Sequence, residues 1–135
     1  MHKGSCLCGG VQYELDAPLT EIGMCHCGMC RKSSGTAFAT NAPVPAEKFR
    51  LTRGVELLSA YTSSPGKQRF FCRACGSPVY SKSEKKPGVV RVRLGLLDTP
   101  VGRRPDYHFF VDAKADWHEI TDDLPQHPGF EAGRA

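Results

Sequence analysis

Short alternating runs set the character of this chain. Val11, Tyr13 and Leu15 alternate with Gln12 and Glu14, the two-residue period of a strand with one buried face. Residues 55–61 (Val-Glu-Leu-Leu-Ser-Ala-Tyr) and 67–71 (Lys-Gln-Arg-Phe-Phe) predict further strands. The clearest pattern runs over 89–94, with Val90, Val92 and Leu94 on one face and Arg91 and Arg93 on the other. Residues 107–111, rich in the aromatic and β-branched residues that suit a pleated surface, predict a late strand. Pro43, Pro65-Gly66, Pro87-Gly88 and Pro100 break the chain between these runs. Helical signal is confined to one turn at 45–49, where Pro45 suits the first helical position. From about residue 124 the sequence Leu-Pro-Gln-His-Pro-Gly cannot sustain a helix and is expected to lie at the periphery. Neither a repeat nor a linker interrupts the pattern, so the expectation is one all-β domain over residues 1–135.

Composition narrows the class. The 135 residues are 40% hydrophobic and 24% charged, ordinary values for a globular protein. No run approaches the ~20 apolar residues of a membrane span, and the first residues lack the apolar stretch of a secretory signal. A reducing cytoplasm is therefore the expected compartment. There, seven cysteines point to metal ahead of disulfides, and an odd number argues against a purely disulfide framework.

The spacing carries the chemistry. Cysteines stand at 6 and 8, at 25, 27 and 30, and at 72 and 75. Sulfurs two or three residues apart around a turn can face one ion, and a structural zinc site takes four such ligands. Seven divides into four and three. The segment Cys72-Arg-Ala-Cys75-Gly76 has the form of a zinc knuckle, and Cys6-Leu-Cys8-Gly9-Gly10 is its available complement. Cys25, Cys27 and Cys30 then form a compact trio that closes almost no loop and leaves one coordination position open. A histidine is the alternative closure of the trio, with His2, His26, His108, His118 and His127 eligible by type. Three thiolates make a zinc ion a weak activator of water and a good holder of a soft fourth ligand, above all a thiol.

Charge modifies this picture. The formal net charge is +4, which falls to +1 if seven thiolates bind two zinc ions. Residues 46–95 carry eleven Lys or Arg against three Glu, whereas residues 106–123 carry six acids against Lys114. The basic stretch would favour an anionic small molecule, or less readily a nucleic acid.

The segments Gly4-Ser-Cys-Leu-Cys-Gly-Gly-Val-Gln-Tyr-Glu14, Cys25-His-Cys-Gly-Met-Cys-Arg-Lys-Ser-Ser-Gly35 and Phe71-Cys-Arg-Ala-Cys-Gly-Ser-Pro78 resemble the glutathione-dependent formaldehyde-activating (GFA) family. So do Gly95-Leu-Leu-Asp98, Pro105, His108, Trp117 and Asp122-Asp-Leu-Pro125. The resemblance implies an Mss4-like (β-tent) fold of twisted antiparallel sheets organised around zinc. It implies a structural zinc on Cys6, Cys8, Cys72 and Cys75 and a catalytic zinc on Cys25, Cys27 and Cys30. The implied activity is that of a carbon–sulfur lyase, an S-(hydroxymethyl)glutathione synthase adding glutathione to formaldehyde. Arg31, Lys32, Ser33 and Ser34 are then candidates to meet the glutathione carboxylates, while His108 and Trp117 suit core or hydrogen-bonding roles. Some relatives are binding proteins, one of them at the centromere, so two alternatives stand beside the lyase. One is a zinc-stabilised module for an anionic partner; the other is a thiol or zinc redox sensor.

Overall fold

The computed structural model describes residues 1–130, built almost wholly of strands in two twisted sheets. Strands β1 (His2–Ser5), β2 (Gln12–Leu15) and β5 (Phe49–Arg53) form the smaller, in the order β1-β2-β5. The larger has seven strands in the order β10-β3-β4-β9-β8-β7-β6. Its members are β3 (Gly23–Cys25), β4 (Ala39–Pro45), β6 (Leu58–Ser64), β7 (Lys67–Cys72), β8 (Pro78–Ser83), β9 (Val89–Arg93) and β10 (Tyr107–Phe109). All neighbours run antiparallel except β10, which pairs parallel to β3. One seven-residue helix, α1 (Gly28–Ser34), interrupts the strands.

The inner faces of the two sheets make the core. Val11, Tyr13 and Leu15 meet Ala42 and Val44 of β4, Val79 of β8, and Val90 and Val92 of β9, all nearly or fully buried. Phe49 links the sheets through its ring contacts with Tyr13 at 5.0 Å and Tyr80 at 4.9 Å. A second, smaller cluster gathers Cys25, Cys30, Ala39 and Phe109.

Three differences from the sequence expectation have local causes. Residues 55–57 form a turn of 3-10 helix instead of a strand, because Gly54 at φ 82° turns the backbone and Leu57 N–H closes onto the Gly54 carbonyl. The late strand stops at Phe109, since Phe110 adopts a left-handed φ of 57°. The segment from residue 124 lies along the surface but is tied to β10: His108 N–H donates to the Pro125 carbonyl at 2.9 Å and His127 N–H to the His108 carbonyl at 3.0 Å. The expected turn at 45–49 is a 3-10 helix at Ala46–Lys48.

Gly54 is the backbone joint between the cysteine-bearing turn after β1 and the end of β5. A Cβ there would lie 2.1 Å from the Gly10 carbonyl oxygen and 2.8 Å from its carbon, neither of which is a movable side-chain end. Gly54→Ala is expected to cost about 3 kcal/mol or more, from clash plus left-handed strain. Gly88→Ala, at the same φ of 82° in open space, should cost only about 1 kcal/mol. Urea denaturation of both variants checks the contrast.

Candidate functional site

Two hairpin-like turns bring the first four sulfurs together. Cys6 and Cys8 sit in the turn between β1 and β2, held by Cys6 N–H to the Val11 carbonyl at 3.0 Å and Gly9 N–H to the Cys6 carbonyl at 2.9 Å. Cys72 ends β7, and Cys75 follows in a turn closed by Gly76 N–H to the Cys72 carbonyl at 2.7 Å. Each turn reverses at a glycine placed directly after its second cysteine, Gly9 at φ 76° and Gly76 at φ 80°, a conformation that side chains resist. Leu7 N–H donates to Ser77 Oγ at 2.9 Å and ties the turns to each other.

The four sulfur atoms lie within 4.8 Å of one another, with Cys6 and Cys8 3.6 Å apart and Cys8 and Cys72 3.9 Å apart. Four sulfurs on a tetrahedral zinc with arms of about 2.3 Å would be spaced at about 3.8 Å. The donor set therefore fits a zinc ion before any rearrangement. Polar groups also support thiolates here: Val11 N–H donates to Cys6 Sγ at 3.2 Å. The Ser77 hydroxyl, 3.3 Å from Cys75 Sγ, and the Ser77 backbone draw the Cys75 thiol down to about 5.

The trio is built where β3 runs into α1. Cys25 is the last residue of β3, Cys27 caps the helix, and Cys30 lies in its first turn. Cys27 Sγ accepts from Cys30 N–H at 3.3 Å, so a ligand candidate doubles as the helix cap. The three sulfurs also fall within 4.8 Å of one another. Hydrogen bonds from Cys25 and Cys27, then the charges of Arg69 and Arg93, hold the Cys30 thiol down at about 2 against the opposing effect of burial. Cys25 is pushed up, because it donates to the other two.

Among the described residues no fourth side chain joins this group. The histidine closure is therefore not what the structure forms. His26, sandwiched between two of the cysteines, turns its ring away, and its Nε2 lies 2.8 Å from His108 Nδ1. Beyond it, His108 Nε2 lies 3.0 and 3.1 Å from the Asp122 carboxylate oxygens. The hydrogen bond from His108 keeps Asp122 below the usual carboxylate range, so Asp122 is an acceptor. His108 therefore donates through Nε2, and one proton is shared between its Nδ1 and His26 Nε2. Burial and the facing His108 hold His26 neutral, with its pKa down to about 4.

His108→Phe should leave the fully buried His26 Nε2 without a partner and cost about 2–3 kcal/mol. Asp122→Asn retains an acceptor for His108 Nε2 and should melt close to the parent. Thermal melts of the two metal-loaded variants separate the cases. Trp117, in contrast, is exposed, which removes it from the core.

Beside the trio lies a cleft of about 220 Å³ whose floor is one face of the large sheet. Strand alternation builds that floor. Arg69 on β7 stands opposite Ser81 on β8, which stands opposite Arg91 on β9, and Arg93 stands opposite Asn41 on β4. The alternate residues Val90 and Val92 point into the core. Arg93, on the face opposite Val90 and Val92, is buried beneath the cleft, and its guanidinium donates to Asn41 Oδ1. Arg69 places Nη1 and Nη2 each 3.9 Å from Cys30 Sγ, with Nη1 also 3.3 Å from Ser33 Oγ.

None of Arg31, Lys32, Ser33 and Ser34 lines this cleft. Ser33 and Ser34 donate to the Cys30 carbonyl at 3.2 and 2.7 Å, bonds internal to a short helix. The cations that reach the trio come from β7 and β9. Their spacing in sequence gives no hint of the trio; only the sheet register brings them there.

Fold and site together define an all-β protein of the Mss4-like (β-tent) class: two twisted sheets carrying one four-sulfur group and one three-sulfur group, the latter open to a basic cleft. The family model described as glutathione-dependent formaldehyde-activating enzyme matches residues 1–113, and the chain belongs to that family. A Halomonas elongata protein named, by inference, for glutathione-dependent formaldehyde activation is 31% identical over 127 residues, 87% of this chain and 80% of its own length. A Podospora anserina protein named likewise is 26% identical over 113 residues, 80% of this chain, but this chain spans only 53% of it. A Schizosaccharomyces pombe relative described as a lyase is 30% identical over 83 residues, 58% of this chain and 56% of its own. The crystal structure of a Rhodobacter sphaeroides protein superposes with a TM-score of 0.63 at 27% identity, covering 76% of this chain and 97% of that one.

Proposed function

We propose that residues 1–135 act as one GFA-type domain, a zinc-dependent carbon–sulfur lyase of the S-(hydroxymethyl)glutathione synthase kind working in the cytoplasm. No helix among the described residues is long and apolar enough to cross a membrane. In this reading Cys6, Cys8, Cys72 and Cys75 hold a structural zinc, and Cys25, Cys27 and Cys30 hold a second. The observation that carries it is the trio's open side, facing a cleft that Arg69 and Arg93 make electropositive. A zinc ion on three thiolates supplies a soft acceptor that lowers the pKa of an incoming thiol and holds it as a thiolate.

The chain's own residues do the remainder. Arg69, anchored by Ser63 Oγ at 3.0 Å and by Ser33, keeps a fixed positive charge beside Cys30 and so favours the anionic form of any thiol arriving there. Arg93 adds a second charge from below the floor, held in place by Asn41. The glutathione carboxylates would be met by cations of the cleft in place of Arg31 and Lys32. The thiol sulfur forms its bond to the aldehyde carbon while the carbonyl π bond opens. The thiol's proton finishes on the former carbonyl oxygen, with no net oxidation. The gain comes from deprotonation and positioning, since the adduct also forms without a catalyst.

The test is the rate at which zinc-loaded protein forms S-hydroxymethylglutathione from glutathione and formaldehyde, followed by NMR exchange. A rate above background that falls in Arg69→Met supports the reading. A rate equal to background, with both metals present, rules it out.

A further inference from the structure

Two sulfurs of the trio and one imidazole share three successive residues. Cys25 ends β3, Cys27 caps α1, and His26 between them turns its ring away from the sulfurs into the protein. The segment is hung on β10. His26 N–H donates to the Phe109 carbonyl at 3.0 Å, and His26 Nε2 lies 2.8 Å from His108 Nδ1. Phe38 and His118 pack near the His26 ring, with centroids at 5.1 and 6.0 Å, which fills space without fixing how the ring turns in its own plane. His26 Nδ1 is buried and meets no hydrogen-bond partner among the described residues. An unpaired buried nitrogen is a standing cost that a phenyl ring in the same space would avoid. What the imidazole supplies in return is one directed bond, to His108.

His108 is itself fixed from two sides. Its N–H donates to the Pro125 carbonyl at 2.9 Å, and its Nε2 lies 3.0 and 3.1 Å from the Asp122 carboxylate oxygens. Leu124 N–H donates to Asp122 Oδ1 at 3.0 Å and anchors that carboxylate in turn. Directed bonds thus run from an exposed carboxylate, through two buried rings, to the backbone that carries Cys25 and Cys27. None of these three residues lines the cleft. We propose that His26 and His108 are positioning residues, whose hydrogen bond sets the spacing of the Cys25 and Cys27 sulfurs and so the affinity of the trio for a soft metal ion. This rests on the trio being a metal site. Groups that orient metal ligands from behind typically carry about 10–100-fold in affinity.

The four-sulfur group is a built-in control, because the path does not reach it. Protein loaded with cadmium-113 at both groups gives separate NMR resonances for four-thiolate and three-thiolate sites, and graded chelator then empties each. Two variants at one position separate direction from packing. His108→Phe keeps the ring's volume and loses the bond, whereas His108→Asn loses volume but sets a polar atom where Nδ1 stood. His108→Phe should release the trio's cadmium at about tenfold lower chelator or less, with the four-sulfur group within about twofold of the parent. His108→Asn should bring the trio back to within about threefold of the parent while melting no higher than the Phe variant. A trio in His108→Phe within about twofold of the parent, or both groups weakened together, would overturn the proposal. So would a trio in His108→Asn as weak as in His108→Phe, by showing that ring volume is what counts. Should His108→Phe not fold, Asp122→Ala decides from an exposed position. A trio weakened about threefold with the four-sulfur group unmoved supports the path, and an unchanged trio overturns it. No trio resonance in the parent would overturn both the proposal and the second metal site beneath it.

Discussion

Cys72→Ser is expected to abolish cooperative folding. Cys72 is fully buried at the end of β7, and its sulfur meets that of Cys8, 64 residues earlier, at 3.9 Å. The four-sulfur group thereby pins the turn between β1 and β2, and with it the small sheet, to the β7–β8 turn of the large one. Structural zinc in small domains binds with an apparent ~10–16 kcal/mol. The whole stability of a domain is only about 5–15 kcal/mol. A serine cannot replace a thiolate ligand, and it also buries a hydroxyl where a sulfur sat. The expected result is loss of a thermal transition by circular dichroism, with a strong chelator doing the same to the parent protein. A variant that melts within about 5 °C of the parent would show that the four sulfurs do not act as a clip.

Cys27→Ser is expected to have the opposite profile, with the fold intact and the proposed chemistry lost. The trio spans six residues, so releasing its metal frees almost no chain entropy. Cys27 is half-buried, and its structural duty is to cap α1 by accepting from Cys30 N–H. Serine is among the best caps for that position, so the helix keeps its first turn. The expected result is one zinc per chain in place of two by native mass spectrometry. The melting temperature should stay within a few degrees of the parent, and adduct formation should fall to the uncatalysed rate. If Cys27→Ser and Cys72→Ser unfold alike, the division between a structural and a chemical site is wrong.

The strands that alternate cleanly were legible in the sequence, and those carrying the site were not. Val89–Arg93 and Gln12–Leu15 show their period because one face is apolar and the other polar. The run Ala39–Pro45 hides its strand behind two prolines, and Gly23–Cys25 is a strand of three residues whose members are all buried. Neither has an alternation to detect. Helix α1 escaped notice because Gly28 and two serines have weak helical propensity, and a helix of that length needs the sulfur cap to hold it. The cysteine groups were legible because turn spacing alone limits where sulfurs can point. Their basic surroundings were not, since Arg69 and Arg93 reach Cys30 through strand register that no local pattern encodes.

The parallel pairing of β10 with β3 sets an order of assembly. His26 and His108 are 82 residues apart, and Phe109 backs Cys25 in the register. On a ribosome the trio emerges and stands uncovered until residue 109 has followed, with Cys25 and Cys30 in solvent instead of buried. A nascent chain thus presents three neighbouring thiols without the wall that later encloses them. On the proposed two-zinc reading, metal captured during that interval would protect these thiols from oxidation before β10 covers them.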